Sequence, residues 1–195
     1  MRLVILDRDG VINQDSDQYI RSPEEWIPIP NSLEAIARLC RADYKVIVAT
    51  NQSGVGRGLF SIDTLNKIHI HMLERVRQKG GDLDAIFFCP HGPDDGCECR
   101  KPKPGMLAEL SKRLKTNLTA VPAVGDSLRD LQAARDVHAL PVLVRTGKGQ
   151  QTQERLMDSD LADTAVYDDL SAFTDSLLSG ELAQRVKHLV TAHGL

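Results

Sequence analysis

The feature that most constrains this chain is the run Leu3-Val4-Ile5-Leu6, four consecutive apolar residues that stop abruptly at Asp7-Arg8-Asp9-Gly10. A short uninterrupted apolar run with β-branched members is the pattern of a strand buried on both faces, as in a parallel sheet. Asp7 and Asp9 are two apart, so in extended backbone their carboxylates leave on the same side, and Gly10 lets the chain turn without a Cβ clash. Like charges that close raise one another's pKa, which suits a cation between them or a retained proton. An isolated D-x-D-G reads first as a solvated acidic turn; three later stretches reverse that preference.

The same construction recurs. Lys45 to Ala49 reads as a second strand and delivers Thr50-Asn51-Gln52-Ser53, followed by Gly54-Val55-Gly56-Arg57-Gly58. A hydroxyl and successive backbone N–H groups at a strand end make a concave nest for phosphate oxygens, to which Arg57 can add a bidentate clamp; a flexible strand-to-helix connection explains the glycines as well. Leu83 to Phe88 reads as a third strand. Ala120 to Val124 reads as a fourth, ending in Gly125-Asp126-Ser127-Leu128-Arg129-Asp130. Pro141 to Val144 makes a fifth, leading to a loop at Arg145 to Gly149, and Thr164 to Tyr167 a weak sixth with helices after it. Between the strands lie helical patterns: one capped by Asn31 or Ser32 and carrying Leu33, Ile36, Leu39 and Cys40 inward, one over Ile62 to Lys79, one begun by Pro104, and one capped by Asp126 or Ser127. The polar stretch Asn13 to Pro30 reads as a loop over the first strand's end, too short for a separate lid domain.

Strands alternating with helices predict an α/β fold, a doubly wound parallel sheet, as a single domain over residues 1–195. Such sheets bind ligands beyond the carboxyl ends of their strands, where Asp7, Asp9, Thr50 to Ser53, Asp126 and Asp130 all fall.

The third strand runs into Cys89-Pro90-His91, and Cys97-Glu98-Cys99 follows five residues later. Three thiolates and an imidazole are the ligand set of a closed tetrahedral Zn²⁺ site, and the prolines and glycines between the pairs favour the reversal that brings both onto one ion. With no open position such a zinc staples a loop and does not activate water. Arg100 and Lys101 follow the last ligand directly, so the zinc would fix them in space. His69 and His71 read as packing or surface residues, and His138, His188 and His193 carry no assigned role.

A net charge of −3 gives no general basic surface, so a nucleic acid held by summed phosphate attraction is not expected. No apolar run approaches the ~20 residues of a membrane span, and Met1-Arg2 enters the first strand without a signal-peptide core. A cytoplasmic protein, monomeric by default, is expected.

Asp7-Arg8-Asp9-Gly10, Thr50-Asn51-Gln52, Lys101 and Gly125-Asp126 resemble, in order and over most of the chain, the motifs of the haloacid dehalogenase (HAD) superfamily of Mg²⁺-dependent phosphatases. The resemblance implies that Asp7 attacks phosphorus to give an aspartyl-phosphate and that Asp9 protonates the leaving oxygen and then activates water. It also implies that Asp7, Asp126 and the Asp9 carbonyl hold Mg²⁺, and that Thr50 and Lys101 hold phosphoryl oxygens. The zinc loop followed by Arg-Lys-Pro, with Thr-Asn-Gln-Ser-Gly, is similar to the heptose-bisphosphate 7-phosphatases of that superfamily, which supply activated heptose for lipopolysaccharide. That narrower resemblance implies a phosphorylated sugar as substrate, with Arg100 aiding recognition and residues among Asp15 to Tyr19 touching the sugar. Ser53 and Arg57 fit a substrate with a second phosphate. Ser127 stands where such relatives can carry Lys. Histidinol phosphatases share the zinc-loop style and are the alternative substrate class; outside enzymes, the alternative is a zinc-stabilised module that binds phosphate without cleaving it.

Overall fold

The computed structural model describes residues 2–156 and 159–184; His188 and His193 lie outside them. In chain order the elements are β1 (Arg2–Leu6), α1 (Ser32–Arg41), β2 (Tyr44–Asn51), α2 (Ser53–Gly56), α3 (Ile62–Gln78) and β3 (Ala85–Cys89). There follow α4 (Gly105–Leu114), β4 (Pro122–Gly125), α5 (Leu128–Asp136), β5 (Leu140–Val144), α6 (Gly149–Leu156), β6 (Ala165–Tyr167) and α7 (Leu170–Ser179). All six strands join one sheet in the order β3-β2-β1-β4-β5-β6, and every pairing is parallel. The doubly wound α/β expectation is met.

Period-two alternation sorts β1 between two cores. Val4 and Leu6 join Val46, Val48, Ile36, Leu39 and Ile68 on one face. Leu3 and Ile5 join Ile47, Ala49, Leu107, Leu110 and Ala133 on the other. With helices on both sides, central strands have no solvated face, which is why they read as unbroken apolar runs.

The departures from expectation are local. The fourth strand starts at Pro122 and not at Ala120, because Ala120 sits at φ 59, outside extended backbone. Asn31 stands at the N-cap of α1 but at φ 64 and without a capping side-chain bond, while the Ser32 hydroxyl donates to the Ile12 carbonyl at 2.7 Å. Neither side chain caps the helix; the Ser32 hydroxyl instead ties the start of α1 to the loop that follows β1. The glycine-rich stretch after β2 contains the one-turn helix α2, and α6 forms where no helix was expected. Cys40 is half-buried and packs against the first core. His69 is buried edge-on to Phe88, and His71 packs on Trp26.

Register then places the chemistry. Leu6 pairs with Val48 on one side and Val124 on the other, so β1, β2 and β4 end abreast and release Asp7, Thr50 and Asp126 at one edge.

Candidate active site

Asp7 leaves β1 with its backbone N–H donating to the Val124 carbonyl at 2.9 Å. Carboxylate oxygens of Asp7, Asp126 and Asp130 all lie within 4.8 Å of one another. Lys101 enters this cluster from the far side of the zinc-ligand loop. The residue is 4% exposed; its ammonium lies 2.5 Å from Asp130 Oδ1 and 3.0 Å from Asp7 Oδ1, and it donates to the Ala49 carbonyl at 2.7 Å. The Asn51 amide fixes the Lys101 backbone from both sides, donating to its carbonyl at 3.0 Å and accepting from its N–H at 3.1 Å.

Burial alone would strip the charge from all four groups; pairing decides which keep it. Burial works against the Lys101 ammonium, but Asp130 and Asp7 hold its pKa above the usual lysine range. Asp130 is held below the ordinary carboxylate value because Lys101 and Ser127 outweigh its desolvation. Asp7 is pushed up to about 7, by burial first and by Asp130 and Asp9 against the pull of Lys101. Asp126 is pushed up to about 8 by burial and by Asp130 and Asp7. Lys101 lies near Asp7 Oδ1 as a charge partner, yet that buried oxygen receives no directed hydrogen bond. Crowded oxygen donors that cannot all ionise unaided fit a hard divalent cation.

The β5–α6 loop supports Asp126. Lys148 N–H donates to Asp126 Oδ2 at 2.8 Å, the Thr152 hydroxyl to its carbonyl at 2.8 Å, and the Thr146 hydroxyl to the Gly10 carbonyl at 2.6 Å. Both glycines flanking Asp126 are required by contact. A Cβ at Gly10 or Gly147, each at positive φ, would come within 2.1 Å or 2.2 Å of Asp126 Oδ2.

Asp9 is gripped separately. Arg8 closes a two-pronged bond on it, Nε to Oδ1 and Nη2 to Oδ2, both 3.0 Å. Asn13 donates to Oδ1 at 2.9 Å and Gln52 to Oδ2 at 2.8 Å. Arg8 is 1% exposed and also donates to Gln52 Oε1 at 3.0 Å. Four donors therefore fix the orientation of one carboxylate. Gln52 also donates to Thr50 Oγ1 at 3.0 Å, which leaves the Thr50 hydroxyl proton to point at an oxyanion. Asn51 and Gln52 are thus occupied in holding Lys101 and Asp9.

The Cys89, His91, Cys97 and Cys99 ligand atoms form a second cluster. Cys89 Sγ lies 3.6 Å from Cys97 Sγ and 3.3 Å from Cys99 Sγ, and His91 Nδ1 lies 3.6 Å and 3.3 Å from Cys89 and Cys99. Tetrahedral zinc with bonds of about 2.3 Å to sulfur and 2.0–2.1 Å to nitrogen separates its ligands by roughly 3.5–3.8 Å, so the set fits with small adjustments. Burial and the neighbouring Cys99 push the Cys89 thiol up to about 12; a cation at the centre is what would make it a thiolate.

All residues singled out in the sequence for catalysis or substrate line one hollow of about 340 Å³: Asp7, Asp9, Asp15, Tyr19, Thr50 to Ser53, Arg57, Arg100, Lys101 and Asp126. At its mouth Lys148 Nζ reaches Asp15 at 3.0 Å and Asp17 at 3.4 Å. Sequence reasoning missed the Arg8 fork and the Lys148 loop. Arg8 carried no assigned role in the sequence, and its partner Gln52 is 44 positions away. Asp130 gave a visible signal as the second acid after β4, but its pairing with Lys101 needs the fold.

Comparison with known proteins gives a coherent picture. A HAD-hydrolase-like family model matches residues 98–173. A D-glycero-beta-D-manno-heptose-1,7-bisphosphate 7-phosphatase of Bordetella bronchiseptica is 56% identical over 91% of this chain and 98% of its own length. One from Pseudomonas aeruginosa is 52% identical over 90% and 97%. A crystal structure of the B. bronchiseptica D,D-heptose 1,7-bisphosphate phosphatase complexed with magnesium and phosphate superposes with a TM-score of 0.87, covering 92% of this chain and 99% of that one at 56% identity.

Proposed function

The chain belongs to the D-glycero-beta-D-manno-heptose-1,7-bisphosphate 7-phosphatases, within the HAD-like hydrolases, and from that premise we propose how its own residues carry the reaction. It is a Mg²⁺-dependent phosphatase that releases the 7-phosphate of the heptose bisphosphate. The observation that carries the assignment of roles is the convergence of Asp7, Asp126 and Lys101 on one pocket.

Asp7 is the nucleophile: its oxygen forms a bond to phosphorus as the bond to the sugar oxygen breaks. Asp9, aimed by Arg8, Asn13 and Gln52, gives its proton to that leaving oxygen. It then takes a proton from the water that hydrolyses the aspartyl-phosphate, which regenerates both acids. Thr50 and Lys101 donate to the phosphoryl oxygens, and the Lys101 charge grows in worth as negative charge gathers on the transferring group. Asp7, Asp126 and the Asp9 carbonyl would hold Mg²⁺, which when bound offsets the charge of Asp7 and of the phosphoryl oxygens. Cys89, His91, Cys97 and Cys99 would hold a structural Zn²⁺ that keeps Arg100 and Lys101 in place. Asp15 and Tyr19, at the mouth, would meet the sugar.

The names of the relatives specify the β anomer, and the same preference is assigned here. Phosphate release from the β and α heptose bisphosphates and from histidinol phosphate, each in Mg²⁺, tests it. The β bisphosphate should lead by tenfold or more; a lead for histidinol phosphate would overturn the substrate. We read the chain as one domain acting as a monomer. No helix among the described residues is long and apolar enough to cross a membrane, and three thiolate ligands fit the reducing cytoplasm.

The buried acids make the metal's effect depend on pH. Without Mg²⁺, Asp7 and Asp126 retain protons up to about 7 and about 8, whereas in the unfolded chain they lose them near 3.8. Between those limits the native state binds more protons, so its stability is greatest at the acid end and falls as pH rises through 7 to 8, by on the order of a few kcal/mol. Mg²⁺ replaces those protons. Thermal melts should show a small Mg²⁺-induced rise in Tm near pH 5 and a several-fold larger one near pH 8; equal rises would contradict the assignment.

A further inference from the structure

We propose that Arg129 is a specificity-determining residue of this enzyme: with Arg57 and Arg100 it makes a cationic rim that holds the substrate's second phosphate, the one that is not cleaved. The inference rests on the phosphatase reading above and deepens it.

Besides the buried Arg8, three arginines from three separate segments line the hollow that contains Asp7. Arg57 follows α2, Arg100 follows the last proposed zinc ligand, and Arg129 is the second residue of α5. Arg57 and Arg129 are exposed and Arg100 half-buried. Several arginines elsewhere on the surface meet carboxylates, as Arg38 meets Asp175, Arg77 meets Asp82 and Arg113 meets Glu109. Around the mouth they do not. Among the described residues no carboxylate lies within ion-pair distance of the Arg57, Arg100 or Arg129 guanidinium; Arg129 acts on its neighbour Asp130 through its charge alone, and the Arg100 side chain donates to the His91 carbonyl at 3.3 Å. Unpaired guanidinium groups gathered at one opening are fork donors available to a ligand, and phosphate is the ligand that matches the fork.

The rest of the mouth cannot serve a second dianion equally well. Lys148 is engaged with Asp15 and Asp17, and Lys101 is committed to Asp7 and Asp130. The Ser127 hydroxyl, next to Asp126, is spent on Asp130 at 2.5 Å. Arg100 and Arg129 also share a second hollow with Gly92, Pro93, Cys97 and Lys103, so the unpaired cations sit on the zinc-loop side of the opening. Arg129 is separated from Asp126 by only two residues, so the group binding the remote phosphate is carried on the same segment as a proposed metal ligand.

Arg129→Met and Arg129→Lys test this by the ratio of kcat/KM for the heptose 1,7-bisphosphate to kcat/KM for the same heptose 7-phosphate lacking the anomeric phosphate. Arg129→Met should lower the ratio tenfold or more, chiefly through KM of the bisphosphate. Arg129→Lys should restore part of it, because the charge returns without the fork. An unchanged ratio in an active Arg129→Met enzyme, or equal losses on both substrates with no recovery in Arg129→Lys, overturns the proposal alone. A native enzyme that releases no phosphate from the bisphosphate overturns the phosphatase reading and this inference with it.

Discussion

Asp7→Asn is expected to lower phosphate release by on the order of 10⁴-fold or more, in line with the loss of other catalytic nucleophiles, while the fold and zinc content survive. The amide keeps the shape of the carboxylate and its place at the end of β1, but its oxygen lacks the charge needed to attack phosphorus. Stability should not fall. Asp7 is a buried carboxylate whose burial outweighs its attraction to Lys101, and Lys101 keeps Asp130 at 2.5 Å when Asp7 loses its charge. Removing an unfavourably buried charge while its counterion stays paired costs little or stabilises. Three measurements separate chemistry from damage: phosphate release in Mg²⁺, the thermal midpoint, and zinc stoichiometry. Activity within tenfold of the native enzyme, from a protein free of native contaminant, would mean that another group attacks.

That the experiment can be designed from so few residues reflects which parts of the molecule are local. β1 is readable because a strand covered on both faces must be apolar throughout, and the switch to Asp7 at its end cannot be packing. Four zinc-ligand candidates in eleven residues are readable because three thiols and an imidazole at this spacing match the donor set of a tetrahedral zinc. The support is not local. Lys101 reaches Asp130 across the sheet edge, Gln52 reaches back to Arg8, and Lys148 binds Asp126 through a backbone N–H that no side chain announces. Asn51 shows the difference well. Its place in Thr50-Asn51-Gln52 suggests a phosphate contact, and the fold spends its amide on the Lys101 backbone. Boundaries failed where backbone conformation overrode composition, as at Ala120, whose positive φ delays β4.

Cys99→Ala is expected to release the zinc and to lower kcat/KM by about 100-fold or more, although no cysteine touches the phosphate; placement errors of about 1 Å at a reacting centre are already worth that much. Cys99 lies one residue before Arg100 and two before Lys101. The other end of the loop is tied to the catalytic strand, with Gln52 N–H donating to the Cys89 carbonyl at 2.7 Å and Gly56 N–H to the Pro90 carbonyl at 2.8 Å. A tetrahedral ion held by the four proposed ligands would close these ends on one another. Structural zinc in small domains binds with an apparent free energy of roughly 10–16 kcal/mol, enough to order a loop of this size, and its loss frees the segment that carries Lys101. Asp7 and Asp130 then face each other without their shared ammonium. Breaking a buried charge pair by withdrawing one partner costs about 3–5 kcal/mol, so the thermal midpoint should fall together with activity. Cys97→Ala should behave alike. A chelator provides an independent route: it removes both metals, and excess Mg²⁺ added back alone should restore little activity, while zinc and Mg²⁺ together restore most of it. Full zinc content in both variants would refute the ligand assignment, and full activity of a zinc-free, Mg²⁺-loaded enzyme would show that Arg100 and Lys101 hold their places unaided.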